Sequence, residues 1–234
     1  MFQGFGPETI RFFLDIRFHN SKAFMDENRE RYASDVRAPF YAFIEALSPV
    51  MLAIDADFET RPHKCLSRIN RDIRFSNDKS PYRDHLWLAY RQAGRGKDGA
   101  PFYWFELSPE RCGWGVGVWS ENRPLMEAMR RRMAARPEDY LRVLPILQKR
   151  GFSMSGREWK KIAVPDTLPE ALAPWYKKRD IYADRSLSSQ DALRPDIVDR
   201  VGKDFTALAP LYRIFQGCAE DAMNQLEERE ETDE

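Results

Sequence analysis

Three runs crowded with aromatic and β-branched residues, HLWLAY (85–90), PFYWFELS (101–108) and GWGVGVWS (113–120), constrain this chain more than anything else in it. Such residues suit the half-buried, pleated surface of a strand, and clusters of Gly, Pro and Ser separate the runs. Their spacing predicts an antiparallel meander, with GRGKDG (94–99) as a flexible first hairpin and SPERC (108–112) as a tighter second turn. In the third run Gly113, Gly115 and Gly117 share one face and Trp114, Val116 and Val118 the other. A helix or a ligand is expected to pack closely on the glycine face.

On both sides of this block the period changes to helical. Pro7 opens a first helix with Ile10, Phe13, Leu14 and Phe18 as its apolar stripe, and Asn20 or Ser21 caps a second. A third follows Val36 and Pro39, with Phe40, Phe43, Ile44, Leu47, Val50, Met51 and Ile54 inward and a kink or interruption at Pro49. Residues 124–149 are again helical, broken at Pro137 and Pro145. Residues 151–187 are mixed, with WKKIAV and KRDIYADRSL as candidate strands, and 191–226 form one or two closing helices. Helices, a block of strands, then helices predict one α+β domain over 1–226, its antiparallel sheet flanked by N-terminal and C-terminal helices. EEREETDE, through residue 234, is expected to be an acidic, disordered tail from 227 onward.

Lys plus Arg and Asp plus Glu number 37 each, so no net field draws the chain to nucleic acid or anionic lipid. Hydrophobic residues at 43% and charged residues at 32% fit a well-packed globular chain. No uninterrupted apolar run approaches the ~20 residues that span a bilayer, and MFQGFGPETIRFFLD does not read as a signal peptide. Cys65, Cys112 and Cys218 are widely spaced, which argues for buried, reduced thiols and a cytoplasmic setting.

Against this balanced background, RINRDIRFSNDKSPYR (68–83) sets Arg68, Arg71, Arg74, Lys79 and Arg83 against Asp72 and Asp78 alone. The segment reads either as a strand ending near Asn70 and entering an irregular turn, the favoured form, or as a helix with Leu66, Ile69 and Ile73 inward. Ser76 to Pro81 then forms a loop stiffened by side-chain bonds to its own backbone and by the proline. Guanidinium forks match the oxygens of a carboxylate or phosphate in pairs, and a lysine adds a mobile charge. A surplus of cations over acids in a stiff loop therefore points to anion binding, with a purely structural ion-pair network as the competing reading.

The same run, written R-I-x-R-D-x-R-F-S-x-D-K-x-P-Y-[KR], resembles the signature of a family of bacterial and fungal proteins catalogued as a domain of unknown function, number 2461. HNSKAFMDENRERY, FYWFELSPERCGWGVGVWSENRPLMEAMR, WKKIAVPD and the stretch from Trp175 to Asp180 extend the similarity over nearly the whole chain. The chain departs from the pattern at Phe24 and Met25, where the family tends to carry Trp-Phe. The resemblance implies a single module and supplies no reaction.

Other chemistries lack their patterns. His19, His63 and His85 have no metal-ligand spacing, and no cofactor or metal is expected. There is no G-x-S-x-G elbow, GRGKDG lacks the P-loop ending, and no helix opens at the last glycine of GWGVG. Asp72, Asp78 and Asp84 lie among arginines that hold them ionised. Tyr82, Trp87, Tyr103, Trp104, Trp114 and Trp119 are mostly core, with one or two available to stack beside the arginines.

The site expected from sequence is a pocket for a small phosphorylated or carboxylated ligand. Arg68, Arg71 and Arg74 clamp it, Lys79 adds charge, Tyr82 donates a hydrogen bond or stacks, and Asp72 orients an arginine or acts as a base. Ser76, Asp78 and Arg83 complete the set. The alternatives are a non-catalytic module that docks the same loop on an acidic protein surface and, less favoured, nucleic-acid binding; no membrane partner is expected.

Overall fold

The structure, a computed structural model, describes residues 2–94, 100–118 and 121–232, without the side chains of 227 and 229–232. Residues 95–99 of the expected hairpin, Trp119 and the last two residues of the tail lie outside it. The fold is α+β, with a five-stranded antiparallel sheet and helices before and after it in the chain. Strands β1 (Leu86–Tyr90), β2 (Phe102–Leu107) and β3 (Arg111–Val118) are the three expected from the aromatic runs. With β4 (Ser153–Ser155) and β5 (Ile181–Ser188) they order as β1-β2-β3-β5-β4. KRDIYADRSL thus supplies a strand, whereas WKKIAV does not.

Two compact units divide the chain: Met1–Tyr90, Trp104–Trp114 and Ser186–Lys203 in the first, and Arg91–Tyr103, Gly115–Arg185 and Asp204–Glu234 in the second.

The first unit begins with α1 (Pro7–Phe18), which buries Ile10, Phe12, Phe13 and Ile16. Leu14 and Phe18, expected inward, are 37% and 77% exposed. RFFLDIRF offers two overlapping apolar stripes, and the neighbouring elements select the one through Phe12 and Ile16. Ser21 caps α2 (Lys22–Glu27), accepting from the Phe24 N–H at 3.1 Å. Next, α3 (Arg29–Arg31), a π-helical turn (Tyr32–Arg37) and α4 (Ala38–Ile54) follow one another, and α4 is not interrupted at Pro49. The Thr9 hydroxyl, donating to the Asp35 carbonyl at 2.5 Å, engages a backbone oxygen within the π turn. Pro49 sits inside α4, whose Phe40, Phe43, Ile44, Leu47 and Met51 remain buried. By length and mean hydropathy (1.2) Arg29–Ile54 matches a bilayer-spanning helix, with 28% of its most apolar stretch buried. Phe43 tilts onto Phe105 at 4.6 Å, Phe5 stacks on Phe105 at 5.8 Å, and the Tyr90 hydroxyl donates to the Ile44 carbonyl at 2.8 Å. A short α5 (Pro62–Cys65) precedes the charged segment.

The second unit holds α6 (Arg123–Ala135), α7 (Pro137–Leu141) and α8 (Leu144–Arg150), divided near the prolines as expected, and α9 (Ala173–Tyr176). A last pair, α10 (Ser189–Ala192) and α11 (Ile197–Thr232), closes the chain; α11 starts in the first unit and continues through Pro210 into the second. Tyr103 packs on Phe205 at 4.9 Å and on Tyr212 at 5.4 Å. What approaches the glycines of β3 is neither helix nor ligand. A Cβ added at Gly115 would lie 2.0 Å from the Ala183 carbonyl oxygen, and one at Gly117 2.4 Å from the Tyr182 Cα, so the backbone of β5 fills that space. Cys65, Cys112 and Cys218 are buried thiols outside any disulfide among the described residues, and burial pushes the Cys112 and Cys218 thiols up to about 11.

Candidate functional site

Residues 66–88 form a hairpin pinned by two isolated bridges, Leu66 with Leu88 and Asn70 with Tyr82. Between them four steps of chain on one side face six on the other, and the extra residues fall after Arg83, around Asp84 and His85. Main-chain bonds from Arg71 to Pro81 (2.9 Å) and from Arg83 to Ile69 (2.8 Å) close the narrow end. The expected strand shrinks to this local ladder.

A second clamp comes from the N-terminal region. The Asn20 amide donates to the Tyr82 carbonyl (2.9 Å) and accepts from the Tyr82 N–H (3.0 Å), so one side chain pairs with backbone as a neighbouring strand would. Sequence reading had offered Asn20 only as a helix cap.

The charges divide into two groups. Asp72 takes Arg74 through two bonds, Nε at 3.0 Å and Nη2 at 2.7 Å, and also accepts from the Arg74 N–H at 3.2 Å. Asp78 caps the Ser80 N–H at 2.9 Å and pairs with the Arg71 Nη1. Bonds from Arg74 hold the Asp72 carboxyl at about 2, and Ser80 followed by Arg71 does the same for Asp78. Arg68, Lys79 and Arg83 form the other group, with no carboxylate partner among the described residues. Lys79 Nζ donates to the Ile73 carbonyl (2.9 Å), and Arg83 Nη1 to the carbonyls of Arg68 (2.8 Å) and Asn70 (2.5 Å). Arg68 and Lys79 are exposed. Arg83 is half-buried, 4.7 Å over the Trp87 ring, and desolvation together with the Arg71 charge makes its proton less tightly held than usual.

The hairpin thus gathers the sequence-derived set but separates its roles. Arg71, Arg74, Asp72 and Asp78 shape the loop, while Arg68, Lys79 and Arg83 offer positive charge. Ser76 is half-buried on the turn, its N–H 3.4 Å from the Ile73 carbonyl. Tyr82 is 8% exposed, so most of its side chain lies in the interior. Phe75, by contrast, is 94% exposed at the tip, with Arg74 5.7 Å from its centroid.

Beside the bulge lies a network the sequence did not announce. Arg17 Nε donates to Asp84 (2.6 Å) and its Nη atoms to Glu110 (2.5 and 3.1 Å), while the other Asp84 oxygen meets the His85 Nδ1 at 2.9 Å. Burial opposes ionisation of Asp84, but His85 and Arg17 outweigh it and its carboxyl titrates below the usual range. The His85 ring stacks 5.9 Å from Trp87, whose ring Arg83 also covers. Only the Asp-His adjacency in RDH was visible beforehand; Arg17 and Glu110 arrive from distant positions. Among the described residues no three His, Cys, Asp or Glu side chains group as a metal site.

The hairpin should keep its internal pairs far into acid. Carboxylates depressed to about 2 stabilise the folded loop fully above an ordinary carboxylate value of ~4 and lose that contribution as pH falls through about 2. Carboxyl carbon shifts of Asp72 and Asp78 followed by NMR should show midpoints well below that value, together with unchanged amide protection of Arg71 at pH 4; ordinary midpoints would show that the pairs do not form.

A family model described as conserved hypothetical protein (DUF2461) matches residues 8–213. No curated protein matches the chain.

Proposed function

The chain belongs to the conserved hypothetical family DUF2461, and on that premise we propose that its motif hairpin, residues 68–83, is a receptor for phosphate or carboxylate groups. The observation that carries the reading is the distribution of partners. Both aspartates of the hairpin are engaged by Arg71 and Arg74, so Arg68, Lys79 and Arg83 retain uncompensated charge on a loop fixed at both ends. A preorganised loop loses little freedom when a ligand arrives, which favours binding. In this reading Arg71 and Arg74 act as struts, and the contacts to the anion come from the other three.

Thermal denaturation with pyrophosphate, citrate and ATP as probes tests it. At ten times Kd a ligand adds about 1.4 kcal/mol, a rise of roughly 4 °C for a chain of this size. The Arg68→Ala, Lys79→Ala double variant should remain folded and lose that rise. An equal rise in wild type and variant, or none with any probe, would reject the hairpin as the receptor.

Phe75 favours a second reading, in which the anion is carried on a protein surface and the exposed ring enters an apolar slot beside it. Phe75→Ser separates the two. Small-anion binding should survive it, whereas capture of an acidic partner should fail.

A further inference from the structure

The second unit contains another irregular junction, built around a hollow. Strands β4 and β5 pair as far as Ser155 with Tyr182, and the next bridge joins Glu158 to Lys178, so three steps of chain face four. At this offset Gly156 has φ +125°, and a Cβ added there would lie 1.9 Å from the Asp180 carbonyl oxygen, so only glycine fits. A cleft of about 410 Å³ opens here, lined by Gly156, Arg157, Asp180 and Tyr182. That volume lies within the range of small-ligand sites.

Its polar groups are fixed and mixed. Asp180, 4% exposed, accepts from the Arg157 N–H (2.9 Å) and from Arg157 Nε (2.5 Å). A carboxylate has about four acceptor positions, so capacity remains. The Arg157 side chain is 59% exposed, and its Nη2 lies 3.7 Å from Glu121, too far for a hydrogen bond. Arg179 pairs with Glu121 at 2.5 Å and lies 4.5 Å over Trp159, while its buried Nε meets no acceptor among the described residues. Lys178 is tied to Glu158 (2.8 Å) and to the Gly156 carbonyl (3.1 Å). Arg157, Lys178 and Arg179 therefore balance Glu121, Glu158 and Asp180.

A charge-balanced cleft gives no general preference for an anion or a cation. It offers fork-shaped donors next to carboxylate acceptors, with Tyr182 in its lining and Trp159, 40% exposed, close by in the same hairpin. Hydroxyl groups donate and accept at once, and adjacent hydroxyls on a ring can address both partners of an Arg-Asp pair. We propose that this cleft binds a neutral polyhydroxylated ring, a saccharide or cyclic polyol. One hydroxyl donates to Asp180, its neighbour accepts from Arg157, and the C–H face of the ring lies on Tyr182. The site is separate from the motif hairpin and does not depend on how that hairpin is used.

Saturation-transfer NMR on the full chain tests the proposal with methyl glucoside, methyl mannoside, methyl galactoside, N-acetylglucosamine and myo-inositol as probes, and with glycine and inorganic phosphate as controls. At least one ring probe should receive magnetisation, and neither control should. Arg157→Lys, at an exposed position that keeps its charge but loses the fork, should weaken that binding at least tenfold with an unchanged circular dichroism spectrum, and Tyr182→Ala should do the same. Arg68→Ala should leave it intact. No transfer from any ring probe, transfer from glycine or phosphate in their place, or undiminished binding in both folded cleft variants would overturn the proposal.

Discussion

Gly115→Ala should lower the melting temperature by roughly 10 °C or leave the chain insoluble. Overpacking normally costs about 1–3 kcal/mol because side chains move aside. Here the added methyl would meet the Ala183 carbonyl oxygen at 2.0 Å, with the Ala183 carbonyl carbon and the Asp184 Cα at 3.1 Å, all backbone of a paired strand. The cost should therefore reach the top of that range, about 3 kcal/mol, and each kcal/mol shifts the midpoint by ~2–4 °C at this chain length. Gly202→Ala is the matched control. A methyl there meets only Val50 and Leu47 side-chain carbons at 3.5 Å and beyond, inside α11, so it should stabilise by up to about 1 kcal/mol through helix propensity. Calorimetry showing equal effects at the two glycines would mean that β5 does not press on β3.

Asp204→Ala should cost about 3–5 kcal/mol, out of a total stability that is typically ~5–15 kcal/mol. Asp204 is 1% exposed and lies 3.3 Å from Arg150 Nη1 and 3.1 Å from Arg185 Nη1. Arg185, whose side chain is 18% exposed, also donates to the Arg150 carbonyl at 2.8 Å, so it cannot easily turn to water when the carboxylate is removed. The loss comes from leaving a half-buried guanidinium without its counter-charge rather than from the worth of the pair itself. Replacing Arg150, Asp204 and Arg185 together by Met, Leu and Met should accordingly recover most of the stability in urea denaturation. A triple variant as weak as the single one would contradict that account.

The parts of this fold that were legible in the sequence are those fixed by local periodicity. The strands at 86–90, 102–107 and 111–118 announce themselves because aromatic and β-branched residues have few other uses in such short runs. Where the chain offers two solutions, packing decides and the sequence is silent. In α1 the choice of Phe12 and Ile16 over Leu14 and Phe18 depends on what lies opposite. Pro49 does not interrupt its helix for a related reason: it forfeits one main-chain bond, and the packing along α4 sustains the helix regardless.

At the motif the residue types were readable and their pairing was not. Arg74 with Asp72 is a two-residue contact that many backbones permit, whereas Arg71 with Asp78 exists only because the chain folds back. Arg17, Asn20 and Glu110 lie 93 to 62 residues from the partners they meet and carry no local mark. The cleft at Gly156 carries no local mark for the same reason, since it forms only where Gly156 and Arg157 meet Asp180 and Tyr182.

The clamp that Asn20 places on Tyr82 is made of neutral groups. In 1 M sodium chloride electrostatic forces are screened beyond about 3 Å, so the reach of the charges on Arg68, Lys79 and Arg83 shrinks while this amide anchor does not weaken. Ionic strength therefore becomes a dial on the field of the hairpin that leaves its base docked. If the hairpin receives an anion as proposed, affinity lost in brine is assigned to those charges, because the mounting beneath them stays in place.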